Sequence, residues 1–421
     1  RYTLDLVCNK LFNGFACGRL GDYPCAMAYD SQNGYIYVTN ASVNYATSHT
    51  IIVINSKTNT VIGEINIGGK PYCILYDPQN GYIYVSNSAN KVSVINSRTN
   101  SVVGCISLGN GAGAMAYDPS NGYIYVASGV NTVSVINSET NSVIGEINVG
   151  KNPIGMAYDP SNGYIYVSNG FNKVYVINTK TNTMIGEITV GSNPIGIVYD
   201  PQNGYIYVTD WGSNTVSVIN GRTNTVIKNI TVGDSPTEMA YDPQNGYIYV
   251  TNSFFAVYVV NTKTNTMIGR ISVGNSPRGI VYDPQNGYIY VANLFGGTIS
   301  IISTLPLYKV TFIENCLPIY LTQSGTTWSV TLNGTTETST TNTITFSESN
   351  GVYSYIVGNV SGYMASPPSG KITVCNKNAT QVITFIAVGQ KPTSIELYAI
   401  VAVVILITVL PVLLFIITRK R

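Results

Sequence analysis

Charge is scarce in this chain. Of its 421 residues only 10% are Asp, Glu, Lys or Arg, and the net charge is +2, against roughly 25% charged residues in an ordinary soluble domain. No basic footprint for nucleic acid is present. Histidine is scarcer still: His49 is the single one, which removes most imidazole metal centres and most histidine general-base chemistry. The cysteines contain neither an adjacent pair nor a Cys-x-x-Cys-His run, so haem and quinone chemistry lacks its ligands. The expectation is a non-enzyme with no cofactor. What replaces charge is tyrosine, 33 residues of it, with Asn, Ser, Thr and Gly crowding the loops. Such a surface is hydrated by hydroxyls and amides rather than by ions.

One pattern recurs through the first 300 residues, as in 153–191, PIGMAYDPSNGYIYVSNGFNKVYVINTKTNTMIGEITVG. A Tyr-Asp pair marks each copy, at Asp30, Asp77, Asp118, Asp159, Asp200, Asp242 and Asp283, with spacings of 47, 41, 41, 41, 42 and 41. A period near 40 with four strand-like runs per copy is the signature of a propeller blade. In the fourth copy the strands, a to d from the centre outward, are predicted at 155–158, 164–167, 174–177 and 184–190. Asp-Pro-x-Asn-Gly closes the a–b hairpin and Asn-x-x-Thr-Asn the c–d hairpin, both with a residue at positive φ. The seventh copy ends at Ser303 without its own d strand. Counting back from Pro24 as from Pro71 predicts that Gly14–Leu20 supplies it, closing the ring at an otherwise open edge. The turn aspartates could pass for a calcium-binding carboxylate ring, but each reads as a turn hydrogen-bond acceptor.

The repeat resembles the YVTN family of β-propeller repeats, whose motif stands here as Tyr37–Asn40 and Tyr249–Asn252. The resemblance covers about residues 10–303 and implies an all-β, seven-bladed propeller over 1–305. It carries no particular activity, because propellers host many unrelated ones.

Residues 306–388 change character, to short alternating runs separated by turn residues, which predicts an antiparallel, Ig-like β-sandwich. The stretches TTWSVTLNGTT and NGVYSYIVGNVSGYMASPPSG resemble a β-sandwich repeat of surface proteins from acid-loving thermophilic archaea, a resemblance that carries no catalytic residues. A linker at 389–394 leads to 395–418. Within it, Leu397 to Ile417 holds 21 residues without a charge, about 31 Å of helix and long enough to cross a bilayer. Arg419, Lys420 and Arg421 follow, a positive tail at 419–421 that marks the cytoplasmic side. A single-pass plasma-membrane protein with its N-terminal part outside is expected, its lipid contact made by 395–418. The chain opens at Arg1 rather than Met, and a removed leader is expected upstream.

Seven cysteines outside a cell should oxidise. Cys316 and Cys375, the two in the sandwich, are the expected disulfide. Cys25 and Cys73 form a weaker candidate pair near the starts of neighbouring a strands, and Cys17 and Cys105 lie a blade apart. Asn-x-Ser/Thr sequons stand at Asn40, Asn229, Asn333, Asn359 and Asn378, the expected glycosylation sites. The repeats also expose where the chain varies. Their a–b and c–d turns are nearly identical, whereas the b–c loops differ and carry Tyr45, Phe171, Trp211, Phe254, Phe255 and Phe295. Loops on a rigid scaffold are where binding concentrates, so these rings are the expected partner site, for envelope proteins or surface glycans. The function expected is structural, adhesive or interaction-forming in the cell envelope. An accessory subunit of a larger membrane complex and a propeller enzyme are the alternatives.

Overall fold

The structure is a computed structural model that describes residues 9–11, 23–41, 49–304, 308–317, 325–348, 351–375 and 377–388. It is all-β, and the chain divides into two compact units between Thr304 and Leu305. The expected membrane helix at 395–418 lies outside the described residues, among which no helix is long and apolar enough to cross a membrane.

The first unit is a succession of four-stranded antiparallel sheets, seven among the described residues, each built from consecutive strands except the last. The fourth is typical: Pro153–Asp159, Tyr164–Asn169, Lys173–Asn178 and Thr183–Thr189. Its middle strands are apolar on both faces because neighbouring sheets cover both; Ile165, Tyr166 and Val167 are fully buried. The hairpins follow from residue chemistry. Gly163 sits at φ 74° and Asn182 at φ 51°, conformations open to glycine and tolerated by asparagine. The result is a β-propeller-like fold.

Three side-chain devices recur between neighbouring sheets, though not every junction has all three. The second tyrosine of Tyr-Ile-Tyr-Val donates its hydroxyl to the c–d turn of the following sheet, as Tyr207 does to Asn265 Oδ1 at 2.7 Å. The a–b turn glutamine donates to the following turn, as Gln202 Nε2 does to the Pro243 carbonyl at 2.7 Å. The Thr or Ser of the Tyr-Val-Thr/Ser-Asn motif reaches across inner strands: Thr251 Oγ1 accepts from Glu238 N at 3.0 Å and donates to the Arg278 carbonyl at 2.9 Å. The first two devices also connect the seventh sheet to the first, through Tyr290 to Asn59 Oδ1 at 2.6 Å and Gln285 to the Ser31 carbonyl at 3.1 Å.

The turn aspartates are structural. Asp159 Oδ1 accepts the Ser161 amide at 2.8 Å, and its buried Oδ2 faces the Tyr199 hydroxyl of the next sheet. Tyr29 meets Asp283 in the same way, and its hydroxyl is pushed up first by burial and then by that carboxylate.

The seventh sheet takes its fourth strand from the N-terminal segment. Asn9–Leu11 pairs antiparallel with Thr298–Ser303, Asn9 opposite Ile302 and Leu11 opposite Ser300. The expectation had placed this strand at Gly14–Leu20, which lies outside the described residues. The pairing position it was assigned is held by residues a few positions earlier.

The second unit is two packed sheets. One orders Thr343–Glu348, Tyr308–Asn315, Ala379–Ala387 and Tyr363–Ser366; the other orders Thr335–Ser339, Trp328–Leu332, Gly351–Val357 and Ser369–Val374. Phe312, Phe385, Trp328 and Val330 meet in one core, and the buried indole donates to the Thr341 carbonyl at 2.7 Å. It is not purely antiparallel as expected: the first strand pairs parallel with the last, Val310 opposite Ala379 and Asn315 opposite Thr384.

That pairing also corrects the disulfide. Cys316 leaves the first strand beside the far end of the last one, whereas Cys375 precedes the last strand's start at Ala379. Six strand residues between those levels span about 20 Å, far beyond the ~7 Å Cα limit for a bridge. The Cys316–Cys375 bond is absent from the structure, and Cys375 is an exposed free thiol. Cys25 and Cys73 are likewise free thiols.

Candidate interaction face

Five of the seven b strands end in a buried asparagine, whose side chain organises the loop after it in the fourth and sixth sheets. Asn169 Oδ1 accepts the amide of Phe171 at 3.1 Å, and Asn252 Oδ1 accepts that of Phe254 at 3.1 Å. The connection into the next sheet then locks the loop from outside. Asn193, at φ 51°, donates its amide to the Phe171 carbonyl at 2.6 Å and accepts from the Trp211 amide at 3.0 Å. Ser276, at φ 53°, links Phe254 to Leu294 in the same way, at 2.6 and 2.8 Å. The loops are thus tied into one hydrogen-bonded belt, and their backbones have little freedom left.

The rings themselves are not covered. Phe171, Trp211, Phe254, Phe255 and Phe295 are 40–62% exposed, so the sequence arc survives in space as a row of free aromatic faces. Two are braced without being buried. The Trp211 indole donates to Ser253 Oγ at 3.3 Å, and Phe295 meets Tyr23 edge-on, ring centres 5.8 Å apart. Tyr45 lies outside the described residues. Val130, 73% exposed, extends the row by one sheet and was missed. Aligning the third repeat's b–c loop with the fourth would have found it, because Val130 occupies the place of Phe171.

A second feature missed from sequence lies beneath Trp211. The position held by Asn40, Asn87, Asn169, Asn252 and Asn293 in other repeats is Asp210 in the fifth. It is fully buried and accepts from Thr215 and Ser217 hydroxyls at 2.8 and 2.7 Å. Burial pushes its carboxyl up to about 6, with those hydrogen bonds pulling the other way.

The sequons separate. Asn229, Asn333, Asn359 and Asn378 are exposed, although Asn378 Oδ1 also accepts the Lys309 amide at 2.8 Å. Asn40 is corrected: it ends a b strand, is buried, and its side chain holds Tyr23 N and Thr50 Oγ1. A glycan cannot be attached to an amide enclosed in this way.

No family model matches the chain, and no curated protein matches it. Among solved structures, Kuenenia stuttgartiensis hydrazine synthase superposes with a TM-score of 0.61 at 18% identity, over 69% of this chain and 99% of that one. At such identity the likeness speaks for the fold alone. The fold is widely shared, with 1863 solved chains matching, so function has to be argued from the site.

Proposed function

We propose that this chain is a non-catalytic, membrane-anchored cell-surface protein whose loop face binds a partner in the cell envelope. Its first unit is read as a closed seven-bladed propeller of the YVTN type, its second as an Ig-like sandwich, and 395–418 as the anchor, with 419–421 inside the cell. Asn229, Asn333, Asn359 and Asn378 are the glycan sites of this reading.

The observation that carries it is the row of exposed rings on loops held rigid by the hydrogen-bonded belt. Exposed aromatic clusters mark contact surfaces, and a preorganised backbone lowers the entropic cost of binding. The test is recovery of partners from native membranes with the full chain and with Trp211→Ser, Phe254→Ser and Phe295→Ser combined. The triple variant should lose the partner while its melting temperature stays within about 3 °C of the parent, since exposed positions cost little stability. A partner retained at full yield overturns the assignment of the face. For the anchor, protease added to intact cells should release the ectodomain by cutting near 389–394. Cleavage of the 419–421 tail from outside would invert the topology.

A further inference from the structure

The a–b and c–d turns interlock from sheet to sheet at the strand ends opposite the b–c loops. Asn80 Nδ2 of the second sheet's a–b turn, for example, donates to the Ser138 carbonyl of the third sheet's c–d turn at 3.2 Å. Five of the six c–d turns carry a cation at one exposed position: Lys57, Arg98, Lys180, Arg222 and Lys263. The third carries Glu139 there instead.

The lysines show what that position does. Each lays its stem over the glycine that closes its own sheet's a–b turn. A Cβ at Gly34 would meet Lys57 Cε at 3.9 Å, one at Gly163 would meet Lys180 Cε at 4.0 Å, and one at Gly246 would meet Lys263 Cε at 3.9 Å. In the first and sixth sheets the preceding sheet's glutamine reaches the same spot. Gln285 Oε1 would lie 3.5 Å from the Cβ at Gly34, and Gln202 Oε1 3.6 Å from that at Gly246. Methylenes cover the turn while the ammonium keeps to polar surroundings, as long cationic side chains do.

In the third sheet no side chain takes that place. Nothing lies within 4 Å of a Cβ at Gly122. A cleft of about 460 Å³ opens beside it, with Gln79, Asn80, Pro119, Ser120, Ser138 and Glu139 in its walls. Ser120 is part of the reason, because five of the seven repeats have the longer glutamine at its position. The walls are held by hydrogen bonds. Gln79 Nε2 donates to the Pro119 carbonyl at 2.8 Å, and Asn137 Oδ1 accepts the Glu139 amide at 2.9 Å. Among the described residues the one ion pair within 4.0 Å is Lys173–Glu187, so Glu139 has no cation of its own. The fifth sheet is the useful contrast. A Cβ at Gly204 also meets nothing within 4 Å, but its turn keeps a cation, Arg222, which repels a second one. Only the third sheet combines the missing stem with a reversed charge.

We infer that the cleft beside Gly122 binds a primary ammonium on an alkyl stem, the chemistry of another protein's lysine side chain or of a free diamine. The stem lies over Gly122 as the lysine stems lie over Gly34, Gly163 and Gly246. The ammonium meets the Glu139 carboxylate in a charge-assisted hydrogen bond. Because the pair stays in contact with water, binding is weak and salt-sensitive. The cleft is separate from the aromatic row and does not depend on it.

The experiment is saturation-transfer NMR on the full chain in a neutral detergent. The probe is n-butylammonium; n-butanol and tetramethylammonium test stem and charge alone. Butylammonium should bind saturably, at least fivefold tighter than either, and added salt should weaken it. Glu139→Lys restores the repeat's own occupant and should abolish binding. Adding Lys263→Glu to that variant should recover it, by opening the equivalent place over Gly246. Both positions are exposed, so melting temperatures should stay within about 3 °C of the parent, which separates lost binding from lost folding. Competition then separates the sources. Displacement by Nα-acetyl-lysine methylamide supports the site with a protein's lysine as its occupant, and displacement by diaminobutane alone supports it with a free amine. No saturable signal from the parent, binding undiminished by Glu139→Lys, or butanol binding as tightly as butylammonium each overturns the inference.

Discussion

At the residue scale the molecule is governed by which buried polar group has a partner. Asp210 is the informative case, because the other repeats supply its control. At that position an asparagine amide donates to loop and strand hydroxyls, as Asn293 Nδ2 does to Thr298 and Ser300 at 3.0 Å each. The carboxylate of Asp210 accepts from equivalent hydroxyls instead, but its charge is desolvated. Its folded pKa is raised from 3.8 to about 6, so the folded state holds the proton more tightly than the unfolded one. Stability on this account is full below pH 4, falls as the pH rises toward 6, and stays lower above it. Asp210→Asn should therefore stabilise at pH 7.5 by on the order of 2–3 kcal/mol and change nothing at pH 3.5, as read from denaturant midpoints at the two values. An equal gain at both would assign the effect to packing rather than to charge. The tyrosine hydroxyls offer a second internal control. Tyr207 reaches the next sheet's turn, whereas among the described residues Tyr249 meets Asn245 of its own turn, because the seventh sheet has no c–d turn. Tyr207→Phe should cost about 1–2 kcal/mol and Tyr249→Phe less than half of that in the same unfolding assay.

At the element scale the strands and turns were legible from sequence and the close approaches were not. Aspartate, proline and glycine at fixed offsets, with Ile, Tyr and Val between them, dictate hairpins locally. That is why the Gly163 and Asn182 turns stand where the repeat put them. Asp210 went unread for the opposite reason: it looks ordinary alone and becomes conspicuous only when its position is compared down all seven repeats. The Cys316–Cys375 pair failed because a sequence does not tell which end of a sandwich a strand leaves from; the parallel pairing of the first and last strands decides that. Inner-strand spacing is likewise visible only in space. Gly279 faces the Cys25 backbone at a distance no side chain tolerates, while a Cβ at Gly63 on an outer strand would meet nothing within 4 Å. Gly279→Ala should therefore force the seventh and first sheets apart and lower the melting temperature by roughly 5 °C or more, from about 2 kcal/mol of backbone clash. Gly63→Ala should leave it unchanged or slightly raised. Equal melting temperatures for the two variants would mean that the inner strands shift apart without cost.

At the scale of the whole molecule the period near 40 announced the succession of four-stranded sheets, since no single sheet buries both of its faces alone and each must stack on neighbours. The seventh and first sheets are joined by the Tyr290, Asn286 and Gln285 hydrogen bonds and, separately, the seventh sheet is completed by Asn9–Leu11. These two closures are physically different. Side-chain bonds join sheet to sheet, whereas the N-terminal strand satisfies the edge of Thr298–Ser303, whose backbone groups would otherwise face water or another chain. Removing residues 1–8 spares that strand, and removing 1–11 deletes it. The longer truncation should lose two or three backbone hydrogen bonds, about 2–3 kcal/mol, and melt several degrees lower than the shorter one. Its bared edge should also recruit a second copy, seen as a concentration-dependent dimer by sedimentation. The two truncations melting together, both monomeric, would show that the side-chain bonds between the seventh and first sheets hold those sheets together unaided.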